Sequence, residues 1–225
     1  MKKHFNLALS ALILAVALSL TPAAMATTIS VNDWVKLTAY NNLDNAGIMT
    51  YAVSDTKGGA ITGYYDTFCI QDNVGIWQGT SFLVKDISTT VGQFETPQPD
   101  GAGALAGGVD YLFYQFSTGA YDGELYADPD NKVYQDDLQR TLWSLQGSGP
   151  TFISSMDTPW ADDLASYNTN TSLQHSWGTL VLNIVDSQGH GVQNQLYHQV
   201  PESATMMLLG FGLAGLAGLR RFTKK

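Results

Sequence analysis

Cysteine is nearly absent from this chain. Its 225 residues include one, Cys69. No internal disulfide can form, so the thiol is an intermolecular partner, a reactive group or a small buried hydrophobe. Positive charge is almost as scarce. Between Thr27 and Val200 the only strong cations are Lys36, Lys57, Lys85, Lys132 and Arg140, against 19 carboxylates, a net charge of −14. Such a surface repels nucleic-acid phosphates and anionic lipid, which excludes both as partners. The sequence has no Cys/His cluster at metal-ligand spacing, no His-Glu-x-x-His and no glycine loop that would cradle a phosphate after a strand. No catalytic residue, metal or cofactor is assigned, and the chain reads as a non-enzyme.

Long apolar runs are also missing, except at the two ends. Lys2, Lys3 and His4 precede an apolar run from Leu7 to Leu20, and Ala24-Met25-Ala26 fits the small-x-small cleavage rule. Residues 1–26 are therefore expected to be a helical secretory signal peptide, removed by signal peptidase. At the other end, Val200-Pro201-Glu202-Ser203 leads into 16 uncharged residues, Ala204 to Leu219, and then into Arg220, Arg221, Lys224 and Lys225. That run is just short of the roughly 17–25 residues needed to cross a bilayer core. The basic cap would stay on the cytoplasmic side.

Motif, marginal helix and basic cap together resemble the PEP-CTERM sorting signal of Gram-negative bacteria. Ser203 stands where that family usually has a second proline. The resemblance implies that an exosortase in the inner membrane cuts at the motif and passes the protein outward. It also implies a link to exopolysaccharide and biofilm. The expected organisation is then a signal peptide (1–26), a mature extracellular domain (27–199) and a sorting signal (200–225). The C-terminal helix would hold the precursor in the inner membrane only transiently.

The mature part is long enough for one domain with a real core. Thr27 to Val91 reads as strands: Ile29 to Ala39, Ile48 to Val53, an aromatic strand Tyr64 to Ile70 carrying Cys69, and Phe82 to Ile87. Thr96 to Gly103 is a Pro- and Gly-rich connection. Apolar residues at three- and four-residue steps then predict helices over Ala104 to Phe116 and Val133 to Leu145. Asp122 to Asn131 reads as a polar loop and Trp160 to Tyr167 as a short helix. Trp177 to Val185 and Val192 to Val200 form a closing hairpin around a turn at Asp186 to Gly191. The expected fold is mainly β, a β-sandwich or barrel-like domain with two or three inserted helices.

Cys69 lies in Thr67-Phe68-Cys69-Ile70-Gln71, and Gln139 in Leu138-Gln139-Arg140-Thr141-Leu142-Trp143. An aromatic residue before Cys, and a Gln followed by a small-hydrophobic-Trp triplet on a helix, resemble the thioester domains of bacterial surface adhesins. Asp33-Trp34-Val35, Tyr111 to Phe116 and Val192 to Leu196 fit the same pattern. The resemblance implies an internal thioester between Cys69 and Gln139 that captures surface amines, hydroxyls or polysaccharide. The chemistry needs a thiol of lowered pKa and an amide oxygen held by donors in a dry pocket. Arg140 and the helix start near Val133 are candidate donors. The two side chains should meet, because the strand and the helix that carry them are each apolar on one face. The alternative is a non-covalent structural or glycan-binding matrix protein, in which Cys69 is a buried hydrophobe.

Other candidates are weaker. Cys69 with His175, His190 or His198 lacks any protease signature. Asp128-Pro129-Asp130-Asn131 has no calcium-loop glycine, and Lys132 occupies the next liganding position, so it reads as a solvated loop. Adjacent Asp162 and Asp163 point apart on a helix. Trp34, Trp77, Trp143, Trp160 and Trp177 could stack on glycans but more often such residues fill a core.

Overall fold

A computed structural model describes residues 28–40, 47–72, 75–126, 132–149, 152 and 158–199. The expected signal peptide, with Ala24 and Ala26, lies outside the described residues. So do the expected sorting motif Val200, Pro201 and Glu202, its helix, and Arg220, Arg221, Lys224 and Lys225. Among the described residues no helix is long and apolar enough to cross a membrane.

The fold is mainly β. Six strands, β1 (Trp34–Tyr40), β2 (Met49–Ser54), β3 (Gly63–Thr67), β4 (Ser81–Ser88), β7 (Thr179–Val185) and β8 (Gln195–His198), form one sheet in the order β3-β2-β1-β4-β7-β8. Every neighbouring pair is antiparallel. The chain just after β3 returns to the far edge. Ile70 N donates to Asn194 O (3.0 Å), Leu196 N donates to Phe68 O (3.0 Å), and Cys69 bridges Gln195. The Thr67 hydroxyl adds a 2.6 Å bond to Leu196 O. The sheet is thus a nearly closed barrel rather than a sandwich, and its two edges satisfy one another.

Period-two alternation decides what lies inside. Val35, Leu37, Tyr51, Val53, Phe82, Val84, Leu182, Ile184 and Tyr197 share one core with Cys69. Their neighbours Phe68, Ile70, Val181 and Leu196 point to the other face and pack under helices. β1 and β4 show the pattern plainly, with Val35, Leu37, Phe82 and Val84 buried and Lys36 and Lys85 exposed.

Among the described residues four α-helices cover one side: α1 (Gly107–Ser117), α2 (Asp122–Leu125), α3 (Lys132–Gln146) and α4 (Pro159–Thr169). α1 buries Val109, Leu112, Phe113 and Phe116, the spacing of a single helical stripe. Asp110 ties it to β7, because its two carboxylate oxygens accept from Trp177 N and Thr179 N, both at 2.9 Å. α3 buries Leu138 and Leu142 against α1 and the outer core, and turns Trp143 to the barrel core. It stops at Gly147, whose φ of 76° suits glycine, with Ser148 N bonded to Trp143 O.

Several expected boundaries move. The strand carrying Cys69 ends at Thr67, and Cys69 sits in an isolated bridge beyond it. The helix expected from Ala104 starts at Gly107. Gly103–Ala104 (β6) pairs first with Thr90–Val91 (β5), which also interrupts the expected Pro/Gly connection. Asp122–Leu125, expected as loop, is helical and anchored at both ends by buried residues, Tyr121 against Trp160 of α4 and Leu125 beside Gln135 of α3. β8 is shorter than expected, because Gln193 and Asn194 leave the ladder to meet Gln71.

Candidate functional site

Cys69 is fixed through its backbone. The residues on both sides of it bond to the β8 edge, and alternation sends Phe68 and Ile70 to the helices and the thiol to the barrel interior. Gln139 is fixed by its helix. Trp160 Nε1 donates to Asp137 Oδ2 (2.7 Å), and Gln135 Nε2 donates to Leu125 O (3.0 Å), so α3 is held from α4 and α2. One turn beyond Gln139, Trp143 lies on the same face.

The two residues, 70 apart in sequence, are in contact. The Gln139 amide clamps the Cys69 peptide from both ends. Cys69 N donates to Gln139 Oε1 (3.2 Å), and Gln139 Nε2 donates to Cys69 O (2.6 Å). The thiol also reaches Oε1, at 3.4 Å from Sγ. Both residues are 0% exposed, so bulk water is excluded. The amide oxygen therefore has a main-chain donor in a dry pocket, the arrangement that polarises a carbonyl. Arg140, considered as that donor from sequence, instead pairs its Nε with Asp136 at 2.8 Å on the half-exposed side of α3.

The thiol differs from expectation in sign. Burial pushes Cys69 from 9.0 up to about 12, because a thiolate loses its hydration there. The Trp143 indole N–H and the Cys69 and Gln71 main-chain groups ease the rise, while the charge of Asp72 adds to it. Trp143 Nε1 is buried without a conventional hydrogen-bond partner, which leaves its N–H available to the sulfur. Trp143, expected as part of the motif and as a candidate glycan-stacking or core residue, faces the thiol within the core.

A second polar cluster adjoins the bridge. Gln193 Nε2 donates to Gln71 O and Asn194 N donates to Gln71 Oε1, both at 2.7 Å. Glu95 sits beside it, its pKa raised by burial and held back by main-chain and Gln71 donors. These residues fasten the chain after Cys69 to the chain before β8. Their signal in the sequence was a run of polar residues, Gln193-Asn194-Gln195, where a strand was expected to alternate.

The other candidates are scattered. His190 pairs with Asp186, His175 stacks on Trp177, and His198 packs edge-on against Tyr114. Asp163 accepts from Tyr121 at 2.7 Å. The five tryptophans share no surface: Trp143 and Trp160 are core, Trp77 is exposed, and Lys57 covers Trp34. Asp128 to Asn131 lie outside the described residues.

The described fold ends at Gln199, one residue after β8. Residues 199–221 match a PEP-CTERM protein-sorting motif. The protein is therefore an exported, membrane-anchored precursor of the kind an exosortase processes. No curated protein and no solved structure matches the chain.

Proposed function

We propose that this is a surface or biofilm-matrix protein of a Gram-negative bacterium, released by cleavage near Pro201-Glu202, which attaches through an internal thioester between Cys69 and Gln139. In forming it, Sγ attacks Gln139 Cδ. The Sγ–Cδ bond replaces the Cδ–Nε2 bond, and Nε2 leaves as ammonia with the thiol proton. An incoming amine or hydroxyl then takes the acyl group and returns the thiol. The burial of both residues protects the thioester from hydrolysis to Cys and Glu. The observation that carries this reading is the clamp, with the amide oxygen 3.2 Å from Cys69 N and 3.4 Å from its sulfur.

The second reading is a non-covalent matrix protein, in which Gln139 closes the barrel edge. The same clamp favours it, because an amide that gives and takes one main-chain hydrogen bond also satisfies an unpaired peptide. Methylamine separates the two. Under the covalent reading the purified protein gains one methylamine at Gln139, Cys69 becomes open to alkylation only afterwards, and Cys69→Ala does neither. A wild type that ignores methylamine and carries a free thiol from the start leaves the non-covalent reading.

A further inference from the structure

Away from Cys69, a cleft of about 290 Å³ opens between the start of α1, the end of α4 and the segment before β7. We propose that it binds a neutral pyranose ring. Its floor is the carboxylate of Asp110, 8% exposed and oriented by the two main-chain donors of Trp177 and Thr179. Each carboxylate oxygen keeps a further lone pair, so the group is a prepared acceptor for sugar hydroxyls.

Two rings in the lining, Tyr167 and His175, are held in place through the rings behind them. Tyr167, which lines the cleft, stacks on Tyr111 at 5.4 Å, Tyr111 meets Trp177 at 5.1 Å, and Trp177 carries His175, which also lines it, at 4.4 Å. Such rings offer flat apolar faces whose conformational freedom is already spent. Gln174 and Ser176 add exposed polar groups at the rim. Gly107 matters by what it lacks, because a Cβ there would collide with the Tyr167 hydroxyl.

This set selects a class of ligand. Phosphates and uronic acids meet Asp110 and the acidic surface and are repelled. Metal ions find one carboxylate in the lining, and among the described residues no group of three or more His, Cys, Asp or Glu side chains could hold one. A wholly apolar ligand would leave the remaining lone pairs of the Asp110 carboxylate without donors. The volume is at the lower limit of small-molecule sites, roughly 300 Å³, and suits a single sugar ring. The inference does not depend on the thioester, so the loss of either leaves the other standing.

The test titrates the exported protein with the methyl glycosides of glucose and galactose, to about 50 mM, which saturates even millimolar binding. Methyl glucuronide is the anionic control. Amide resonances of Trp177 and Thr179, the two donors to Asp110, report the site. At least one neutral glycoside should shift both, and glucuronide neither. His175→Ala, at an exposed position, and Gly107→Ala should each weaken binding about fivefold or more. No shift with either neutral glycoside, an equal response to glucuronide, or shifts unchanged in both variants overturns the proposal.

Discussion

The buried thiol makes a prediction about alkaline stability. Cys69 is raised to about 12 in the folded protein from 9.0. As pH rises, the unfolded chain gives up the thiol proton first, so the folded state falls in relative stability. The contribution is complete below about pH 9 and is lost as pH climbs toward 12, at most about 4 kcal/mol in all. Between pH 9 and 10 alone the loss is about 1 kcal/mol. A thioester carries no thiol, so the measurement belongs on a Gln139→Met background, which cannot close one and keeps the pocket filled and apolar. Urea midpoints at pH 8, 9 and 10 are compared with Gln139→Met/Cys69→Ala. The buried tyrosines Tyr51, Tyr65 and Tyr121, whose pKa values burial also raises, act alike in both proteins and cancel in the difference. The protein that keeps Cys69 should lose about 1 kcal/mol more over that unit of pH. Parallel curves would refute the reasoning, because the thiolate would then be as well solvated folded as unfolded.

Three further outcomes are expected. Trp160→Phe removes the donor to Asp137 Oδ2, 2.7 Å away between two buried residues, and should cost about 2–3 kcal/mol in urea unfolding; a change under about 0.5 kcal/mol contradicts the packing of α4 on α3. Gly191→Ala places a Cβ 2.5–2.7 Å from the Phe94–Glu95 backbone and should destabilise by about 1–3 kcal/mol, read as a lower melting temperature. Replacing Pro201 and Glu202 with alanine should hold the precursor in the membrane, and peptide mapping of wild-type protein outside the cell should find no Arg220 to Lys225; their recovery there argues against processing.

Local periodicity exposed most of the elements and local chemistry exposed the tail. The α1 stripe of Val109, Leu112, Phe113 and Phe116 is a one-element property, and so is the alternation of β1. The PEP-CTERM motif is contiguous, and a match over residues 199–221 agrees with it. What escaped depends on partners distant in the chain. Asp122–Leu125 has the composition of a loop, and it is helical where Tyr121 is buried against α4 and Leu125 beside α3. Barrel closure joins Phe68–Ile70 to Asn194–Leu196 through main-chain groups, which carry no side-chain signature. The contacts of Gln71 with Gln193 and Asn194 were not legible, because Gln193 and Asn194 lie in a stretch that reads as strand and a polar residue does not name its distant partner. At the candidate site, the residue pair was legible from motifs. The donor to the amide was not, since it is the Cys69 peptide itself rather than Arg140. Nor was the direction of the thiol shift, which follows from complete burial.

The most direct test of the covalent reading is the intact mass of freshly purified, exported protein, taken without reductant or added amine. Closure of Cys69 on Gln139 predicts a mass lower than the mature sequence by one ammonia, and a Cys69→Ala protein at its full calculated mass. Full mass in the wild type, with Cys69 alkylated on unfolding without any amine treatment, contradicts the thioester and leaves Gln139 as a structural clamp.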